Sequence, residues 1–324
     1  MRFGVFVPQG WRMDLEEIAD PIEQYEAMTH VAQVADSLEA FDSIWVYDHF
    51  HPVPKPVQAT VFECWTITAA LARDTKRINI GQMVSCNGYR NPAMLAKMAS
   101  TVDVLSHGRL YFGLGAGWYE HEWRAYGFGF PETRDRMRAF REACTIIHAM
   151  WTEEAPTFKG EYYTIDQPIN LPKGVRKPYP SFWIGGGGEQ ITLKLVAQYG
   201  NACNIGGDIP TITHKLEVLQ GHCTKLGRSY DEITRSTTLE DMIILHPGED
   251  PRVMAEPICR ARGVNYDDYA AAGQIGTPEQ IAEKIAELAA AGINYVLTYF
   301  PRAAYDTEQL HRFATEVAPL VADK

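Results

Sequence analysis

Short apolar runs alternate with longer segments of helical periodicity from one end of the chain to the other. The runs are rich in β-branched and aromatic residues, which is typical of buried strands, and the longer segments repeat apolar residues every three or four positions. The predicted strands span residues 3–7, 43–47, 78–84, 110–114, 181–184, 202–205, 236–245 and 295–298. The predicted helices span residues 21–39, 58–73, 92–105, 133–151, 189–199, 211–226, 278–291 and 307–320.

This alternation predicts an α/β protein with a parallel sheet. Eight βα units in about 300 residues favour a closed (β/α)8 TIM barrel, because a doubly wound sheet usually stops at five to seven strands. Two segments interrupt the rhythm: residues 157–164 resemble a hairpin, and residues 247–275 are long enough to hold short helices. We therefore predict a single barrel domain over 1–324, with insertions at the C-terminal mouth that wall a substrate pocket.

Composition and charge narrow the possible partners. The chain is 46% hydrophobic and 22% charged, as in ordinary globular proteins, and its net charge of -11 would repel nucleic acid or an acidic membrane surface. No apolar run approaches the roughly 20 residues of a membrane-spanning helix. Six cysteines without a C-x-x-C pair indicate reduced thiols. These features predict a cytoplasmic protein that acts on a small molecule.

Four consecutive glycines, at 185–188, follow predicted strand five and precede a helical segment. Glycines allow close approach of a ligand to the backbone, and the free N–H groups of a helix N-terminus suit an anion. Thr192 would add a hydroxyl one turn along. Gln190 breaks the dinucleotide-binding fingerprint, and no Gly-Lys-Ser/Thr follows as in a P-loop. The run is therefore either a phosphate cradle of another kind or simply a flexible strand-to-helix turn.

A barrel carries its working residues at the C-terminal ends of its strands. Asp48 and His49 follow predicted strand two and are the best acid/base candidates, because histidine titrates near neutrality and a carboxylate can fix its tautomer. Adjacent residues on an extended segment point in opposite directions, so the two need not touch. The alternative is a structural histidine. We expect His51 to lie nearer the surface, and the spacing predicts no metal site.

Glycines also run through predicted strand four and past its end, including Gly115 and Gly117. Glycine weakens a strand unless a ligand or another backbone must come close. Trp118 and Tyr119 would then flank that ligand, although a packed aromatic corner explains them equally well. Glu120 and Glu122 fall at the start of a helical segment, where we expect both to be exposed to solvent.

Several motifs in order carry a resemblance to a known family. They are Asp-Ser-Ile-Trp-Val-Tyr-Asp-His-Phe at 42–50, Tyr-Arg-Asn-Pro-Ala-Met-Leu-Ala-Lys at 89–97, Gly-Arg-Leu at 108–110, Gly-Ala-Gly-Trp at 115–118, and the glycine run. Together they resemble the bacterial luciferase-like monooxygenase superfamily, and more closely its deazaflavin (coenzyme F420)-dependent oxidoreductases. The resemblance extends over nearly the whole chain.

The resemblance implies a barrel that binds a flavin or deazaflavin at its mouth, usually as a homodimer. His49 matches the active-site histidine, and the segment from Met83 to Ser85 matches the place where family members have a non-proline cis peptide. The glycine run and Thr192 match the phosphate site. The expected cofactor-binding residues are Met83, Val84, Ser85, Asn87, Gly115, Gly117, Gly187, Gly188, Glu189 and Thr192.

The predicted reaction is hydride transfer between F420 and an organic substrate, with proton exchange at His49. The alternatives are an FMN-dependent monooxygenase and a non-catalytic protein that binds flavin or deazaflavin. The expected substrate is apolar or aromatic, because the walls of its pocket are predicted to include Trp11, Trp65, Trp118 and Tyr119. Trp118 stands where the family's sugar-phosphate dehydrogenases have a glutamate, which argues against sugar-phosphate oxidation by the same mechanism.

Overall fold

Eight parallel strands close into a barrel in the computed structural model, which describes residues 1–53 and 55–321. Each barrel strand pairs in parallel with the next one along the chain, and the first also pairs in parallel with the eighth, which closes the ring. The predicted (β/α)8 barrel is confirmed. In chain order the eight barrel strands are Arg2–Phe6, Phe41–Val46, Asn79–Gln82, Leu110–Gly115, Ser181–Gly185, Ala202–Asn204, Thr234–Leu239 and Tyr295–Thr298.

Helices surround the barrel and begin where the sequence supplies caps. The second predicted helix starts at Cys64, not at residue 58, because the Glu63 carboxylate accepts hydrogen bonds from the Trp65 and Thr66 N–H groups. The helix after the glycine run starts at Thr192, three residues later than predicted. The surrounding helices are Pro21–Ser37, Cys64–Asp74, Pro92–Leu105, Thr133–Thr152, Thr192–Tyr199, Ile209–Leu226, Pro278–Ala290, and a last helix from Glu308 to Val321 that contains a π-helical turn over Phe313–Val317.

The barrel has two hydrophobic cores, one between its strands and the surrounding helices and one inside the ring of strands. Mainly aliphatic residues fill the space between strands and helices, with aromatic ones such as Trp65 and Phe112 among them. The barrel interior is aromatic, and Trp45 and Trp183 meet there edge to face with ring centroids 4.7 Å apart. A Cβ at Gly81 would lie 2.7 Å from the Tyr111 carbonyl oxygen and closer still to the Trp45 ring. The interior is therefore packed with side chains, and a ligand has access only at the mouth.

Two predicted strands are interrupted. The third ends at Gln82, and after the Met83–Val84 peptide bond the short strand Ser85–Cys86 pairs with barrel strand four. The predicted strand over 236–245 is two strands, because Asp241 adopts a left-handed conformation with φ of 55°. Its second part, Met242–Ile244, leaves the barrel and pairs with Gln274–Gly276.

Both predicted insertions contain regular structure. Strands Thr157–Lys159 and Thr164–Asp166 form the antiparallel hairpin, and the long insertion holds helices Pro251–Arg262 and Tyr266–Ala272. The short helix Glu120–Ala125 follows barrel strand four. None of the helices in the described part of the chain combines the length and apolarity that a membrane crossing requires.

The start of the long insertion is held by an ion pair between Glu249 and Arg312. The Arg312 guanidinium donates from Nη1 to Glu249 Oε2 over 2.6 Å and from Nη2 to Oε1 over 2.7 Å. These hydrogen bonds are the largest cause that lowers the pKa of Glu249 from its ordinary 4.5 to about 2. The folded state therefore gains stability from ionised Glu249 above pH 4.5 and loses it as the pH falls toward 2.

We predict that Glu249→Gln flattens the acid limb of the stability curve. Between pH 4.5 and pH 2 the free energy of unfolding should fall less steeply in the variant than in wild type, because glutamine does not titrate. Urea unfolding at a series of pH values measures this difference. Glu256, an exposed partner of Arg260, supplies the control, and Glu256→Gln should reproduce the wild-type curve. Parallel curves for wild type and Glu249→Gln would contradict the prediction.

Candidate active site

A cavity of about 640 Å³ opens at the C-terminal ends of the barrel strands. Its volume falls within the roughly 300–1,000 Å³ of small-molecule sites. The cavity extends from the His49 side of the mouth to the loop that contains the glycine run. The predicted site residues in its walls are Asp48, His49, Met83, Val84, Gly115, Gly117, Trp118, Tyr119, Gly188, Glu189 and Thr192.

His49 is oriented by a buried carboxylate, that of Glu122. His49 Nδ1 lies 2.8 Å from Glu122 Oε2. The same carboxylate accepts hydrogen bonds from the Tyr89 hydroxyl at 2.9 Å and from the backbone N–H groups of Phe50 and His51 at 2.8 and 2.9 Å. His49 borders the cavity, and its Nε2 makes no hydrogen bond to another described residue. The ring thus has one nitrogen fixed and the other available to a ligand.

The prediction that Glu122 is exposed to solvent is wrong, since its side chain is fully buried. Burial alone raises the pKa of Glu122, but the hydrogen bonds from His49, His51 and Phe50 lower the pKa by more, so it lies below its ordinary value. Glu122 is therefore ionised and acts as an acceptor. Glu120, on the same short helix, is exposed as predicted and pairs with Arg124.

Asp48 does not orient His49, although the two residues are adjacent in the chain. Its carboxylate accepts two hydrogen bonds from the Arg90 guanidinium, at 2.6 and 3.0 Å, and one from the Cys86 N–H at 2.8 Å. The two side chains diverge because consecutive residues of an extended segment point to opposite sides. The sequence did not require Asp48 to touch His49, and in the structure the carboxylate partner of His49 is Glu122.

Aromatic rings surround His49 on three sides. Trp11 stacks on the imidazole with centroids 4.7 Å apart and an interplanar angle of 8°. Trp118 and Tyr119 approach it edge to face at 5.7 and 5.8 Å. Trp118 is 60% exposed, so one face of this indole is open to a ligand at the mouth. Trp11 supports His49 from behind, whereas Trp118 and Tyr119 border the cavity.

Five predicted site residues lie outside the cavity wall, namely Trp11, Trp65, Ser85, Asn87 and Gly187. Trp65 is buried in the layer between strands and helices, and its indole N–H donates to Ser85 Oγ over 3.0 Å. This hydrogen bond draws the Ser85 side chain away from the mouth. The Asn87 amide donates to the Tyr163 hydroxyl at 3.2 Å. The long insertion, residues 247–275, also contributes nothing to the wall of this cavity. A separate cavity lies between the insertion and the segment after barrel strand eight.

Met83 and Val84 form part of the cavity wall. Two strand glycines leave room for Val84 to pack closely against the neighbouring strands. The peptide bond between Met83 and Val84 is cis, at the place that the family resemblance implies. A Cβ at Gly115 would lie 2.5 Å from a Val84 methyl group, and a Cβ at Gly185 would lie 2.9 Å from the other. The glycines at the ends of strands four and five are thus explained by close packing around Val84.

A buried hydroxyl without a partner, that of Thr192, follows the glycine run. Thr192 is 4% exposed, and its Oγ1 lies 2.9 Å from the position of a Cβ at Gly188. This hydroxyl borders the cavity and makes no hydrogen bond to another described residue. The helix Thr192–Tyr199 begins here without a side-chain cap; its Leu193 N–H donates to the Gly188 carbonyl oxygen over 3.0 Å, whereas the Thr192 N–H makes no hydrogen bond to another described residue. These donors suit a phosphate.

A sequence profile described as luciferase-like monooxygenase matches residues 1–240. The FMNH2-dependent dimethylsulfone monooxygenase of Pseudomonas putida is 27% identical over 291 residues, which cover 81% of this chain and 79% of that protein. The F420-dependent glucose-6-phosphate dehydrogenase of Kineococcus radiotolerans is 31% identical over 221 residues, covering 66% of this chain and 62% of that protein.

A solved structure extends the likeness in fold to the whole chain. An F420-dependent secondary alcohol dehydrogenase, in complex with an F420-acetone adduct, superposes with a TM-score of 0.79 and 21% identity. The superposition covers 99% of each chain. The chain is therefore similar in sequence to enzymes of two cofactor classes, one that uses F420 and one that uses reduced FMN.

Proposed function

The chain belongs to the luciferase-like monooxygenase family, and on this premise we propose that it is an oxidoreductase that transfers a hydride between coenzyme F420 and a small organic substrate. One observation carries the proposal: His49 borders a cavity that ends in a glycine cradle, and its Nδ1 is held by the buried, ionised Glu122. Hydride transfer to or from an alcohol or carbonyl requires a proton to move in the same direction, and such a histidine can exchange it.

The residues of the cavity fit a phosphorylated heterocycle. The hydroxyl of Thr192 and the N–H groups of Gly187 and Gly188 would hold the phosphate, since the Gly186 N–H already donates to the Asn204 carbonyl oxygen. Met83, Val84 and Gly115 would form the surface against which the ring lies. The deazaflavin ring, when bound, supplies the hydride exchange.

Glu122 determines which nitrogen of His49 handles the proton. Because ionised Glu122 can only accept, the hydrogen of the neutral imidazole is on Nδ1 and the lone pair is on Nε2. Nε2 would take the hydroxyl proton of a substrate that is oxidised, or return a proton to a substrate that is reduced. The negative charge of Glu122 also stabilises the imidazolium that forms.

The aromatic mouth supports an apolar or aromatic substrate. Trp118 and Tyr119 stack on each other with centroids 5.2 Å apart, next to His49. Because Trp118 replaces the glutamate of the family's sugar-phosphate dehydrogenases, we propose that the substrate is not a sugar phosphate, despite the relatives that oxidise glucose 6-phosphate. We also propose that the protein acts in the cytoplasm as a homodimer, which sedimentation analysis would test.

The experiment that tests the proposal is titration of purified protein with F420 and with FMN, followed by fluorescence. We expect F420 to bind with a Kd below about 100 μM, roughly -5.5 kcal/mol, and more tightly than FMN. The similarity to an FMNH2-dependent enzyme makes a flavin monooxygenase the second candidate. The two differ in chemistry, since the deazaflavin lacks the ring nitrogen through which reduced flavin reacts with oxygen. Preference for FMN would favour the monooxygenase, and binding of neither would overturn both.

A non-catalytic binding protein is the third alternative, and turnover separates it from the enzymes. Reduced and oxidised F420 would be incubated with a panel of aliphatic and aromatic alcohols and carbonyl compounds, and the absorbance of the cofactor would be followed. We expect the absorbance of F420 to change with at least one substrate class. Tight binding of F420 without any redox change across the panel would favour the non-catalytic protein.

We predict that Thr192→Val weakens binding of the phosphorylated cofactor by about 1–3 kcal/mol, because one hydrogen bond to a charged group is lost with little change of shape. Dissociation constants from fluorescence titration measure the effect. A ring analogue without the phosphate is the control and should bind both proteins equally. If the phosphorylated cofactor also binds both equally, Thr192 does not contact the phosphate, and the backbone alone must hold it.

A further inference from the structure

The end of the Lys215 side chain lies over the glycine run. Lys215 is on the helix Ile209–Leu226, which packs against the helix that follows the run. A Cβ at Gly187 would lie 2.9 Å from Lys215 Cε and 3.0 Å from Cδ, and Nζ would be nearer still. Lys215 therefore occupies the space that a side chain at residue 187 would fill. Gly187 itself does not border the cavity, and the neighbour of its Cβ position is the end of the Lys215 side chain.

The Lys215 ammonium has no counter-ion among the described residues. The side chain is half-buried, and Nζ makes neither a hydrogen bond nor an ion pair with the residues that the structure describes. Glu189, the acidic residue that directly follows the run, has its carboxylate 3.2 Å from His214 Nε2. The Glu189 carbonyl oxygen lies 2.8 Å from His222 Nε2. Glu189, His214 and His222 are therefore engaged with one another, and Lys215 is not.

A second group at the same place also lacks a partner, namely the buried Thr192 hydroxyl. An unpaired ammonium, an unpaired hydroxyl and the unpaired Thr192 N–H at the start of the helix form a donor set for one anion. The chain has a net charge of -11, so its overall field opposes an anionic ligand. Local positive charge at the run would offset that repulsion.

We propose that Lys215 is a ligand of the cofactor phosphate, reaching it across Gly187. This inference rests on the proposed function, since it assumes that a phosphorylated cofactor occupies the cavity. Lys215 supplies the positive charge, and the glycine at 187 leaves the path of its side chain open. The interaction is between an ammonium and a phosphate at a partly exposed position, so it depends on ionic strength.

The test compares F420 with its ring analogue that lacks the phosphate, by fluorescence titration of wild type, Lys215→Gln and Lys225→Gln. Lys225 is an exposed residue in the last turn of the same helix, about 15 Å farther along, and is the matched control. We expect Lys215→Gln to weaken F420 binding about tenfold and to reduce its salt dependence. Binding of the ring analogue by both variants, and of F420 by Lys225→Gln, should equal wild type.

Three outcomes would overturn the inference while leaving the proposed function intact. F420 binding that Lys215→Gln does not change would remove Lys215 from the site. Equal weakening of F420 and the ring analogue would mean that the substitution only disturbs the loop. A loss that disappears with F420 lacking its glutamate tail would assign Lys215 to the tail carboxylates. If wild type fails to bind F420 but binds FMN, the proposed function fails, and FMN with riboflavin then tests the phosphate contact in the same way. Binding of neither overturns both.

Discussion

Replacement of His49 by alanine is expected to lower turnover by about 10²–10⁴-fold while F420 affinity stays within several-fold of wild type. The imidazole would exchange the substrate proton through Nε2, and alanine offers no group that can do so. Affinity should change little because the proposed phosphate donors, at the glycine run and Thr192, do not include His49. Steady-state rates with a substrate identified by the panel, together with fluorescence titration of F420, measure the two quantities separately.

The matched control for His49 is His121, an exposed histidine on the short helix at the same rim. His121→Ala should leave turnover within a few-fold of wild type, because its ring lies outside the cavity wall. An unchanged rate in His49→Ala would remove this residue from the mechanism. A parallel loss of F420 affinity would instead mean that the alanine variant has lost the shape of the pocket.

Replacement of Glu122 by glutamine is the second substitution with a large expected effect. The carboxylate accepts four hydrogen bonds, from His49, Tyr89 and two backbone N–H groups. Glutamine keeps the size but has only one acceptor oxygen. If that oxygen keeps the two backbone N–H groups, the amide NH2 faces His49 Nδ1 and forces the ring hydrogen onto Nε2. The histidine then presents the wrong tautomer to the substrate.

We expect Glu122→Gln to lower kcat by about 10²–10⁴-fold with a smaller effect on KM, because the tautomer matters in the transition state more than in binding. Glu120→Gln, on the same short helix but exposed, is the control and should behave as wild type. A kcat within a few-fold of wild type in a folded Glu122→Gln protein would show that Glu122 is only structural.

The sequence was sufficient for the features that depend on local order. Alternating strand and helix periodicity requires a parallel sheet, and eight units close a barrel, so the fold and most helix ends follow from neighbouring residues. The ends of parallel strands meet at one mouth, which is why the positions of His49, the Met83–Val84 segment and the glycine run could be read from the chain. The strand at 236–245 was misjudged because its break depends on Asp241, whose side chain pairs with distant Arg262.

Contacts between segments far apart in the chain were decided only by the tertiary structure. Glu122 contacts His49 from 73 residues away and Lys215 covers Gly187 from the next helix, and neither pairing leaves a local pattern. Apolar periodicity also does not say whether Trp65 faces the mouth or the helices. The sequence determines where along the chain a chemical group lies. The distance between groups depends on how the strands are tilted and how the loops fold back over the mouth, which the packing of the whole barrel decides.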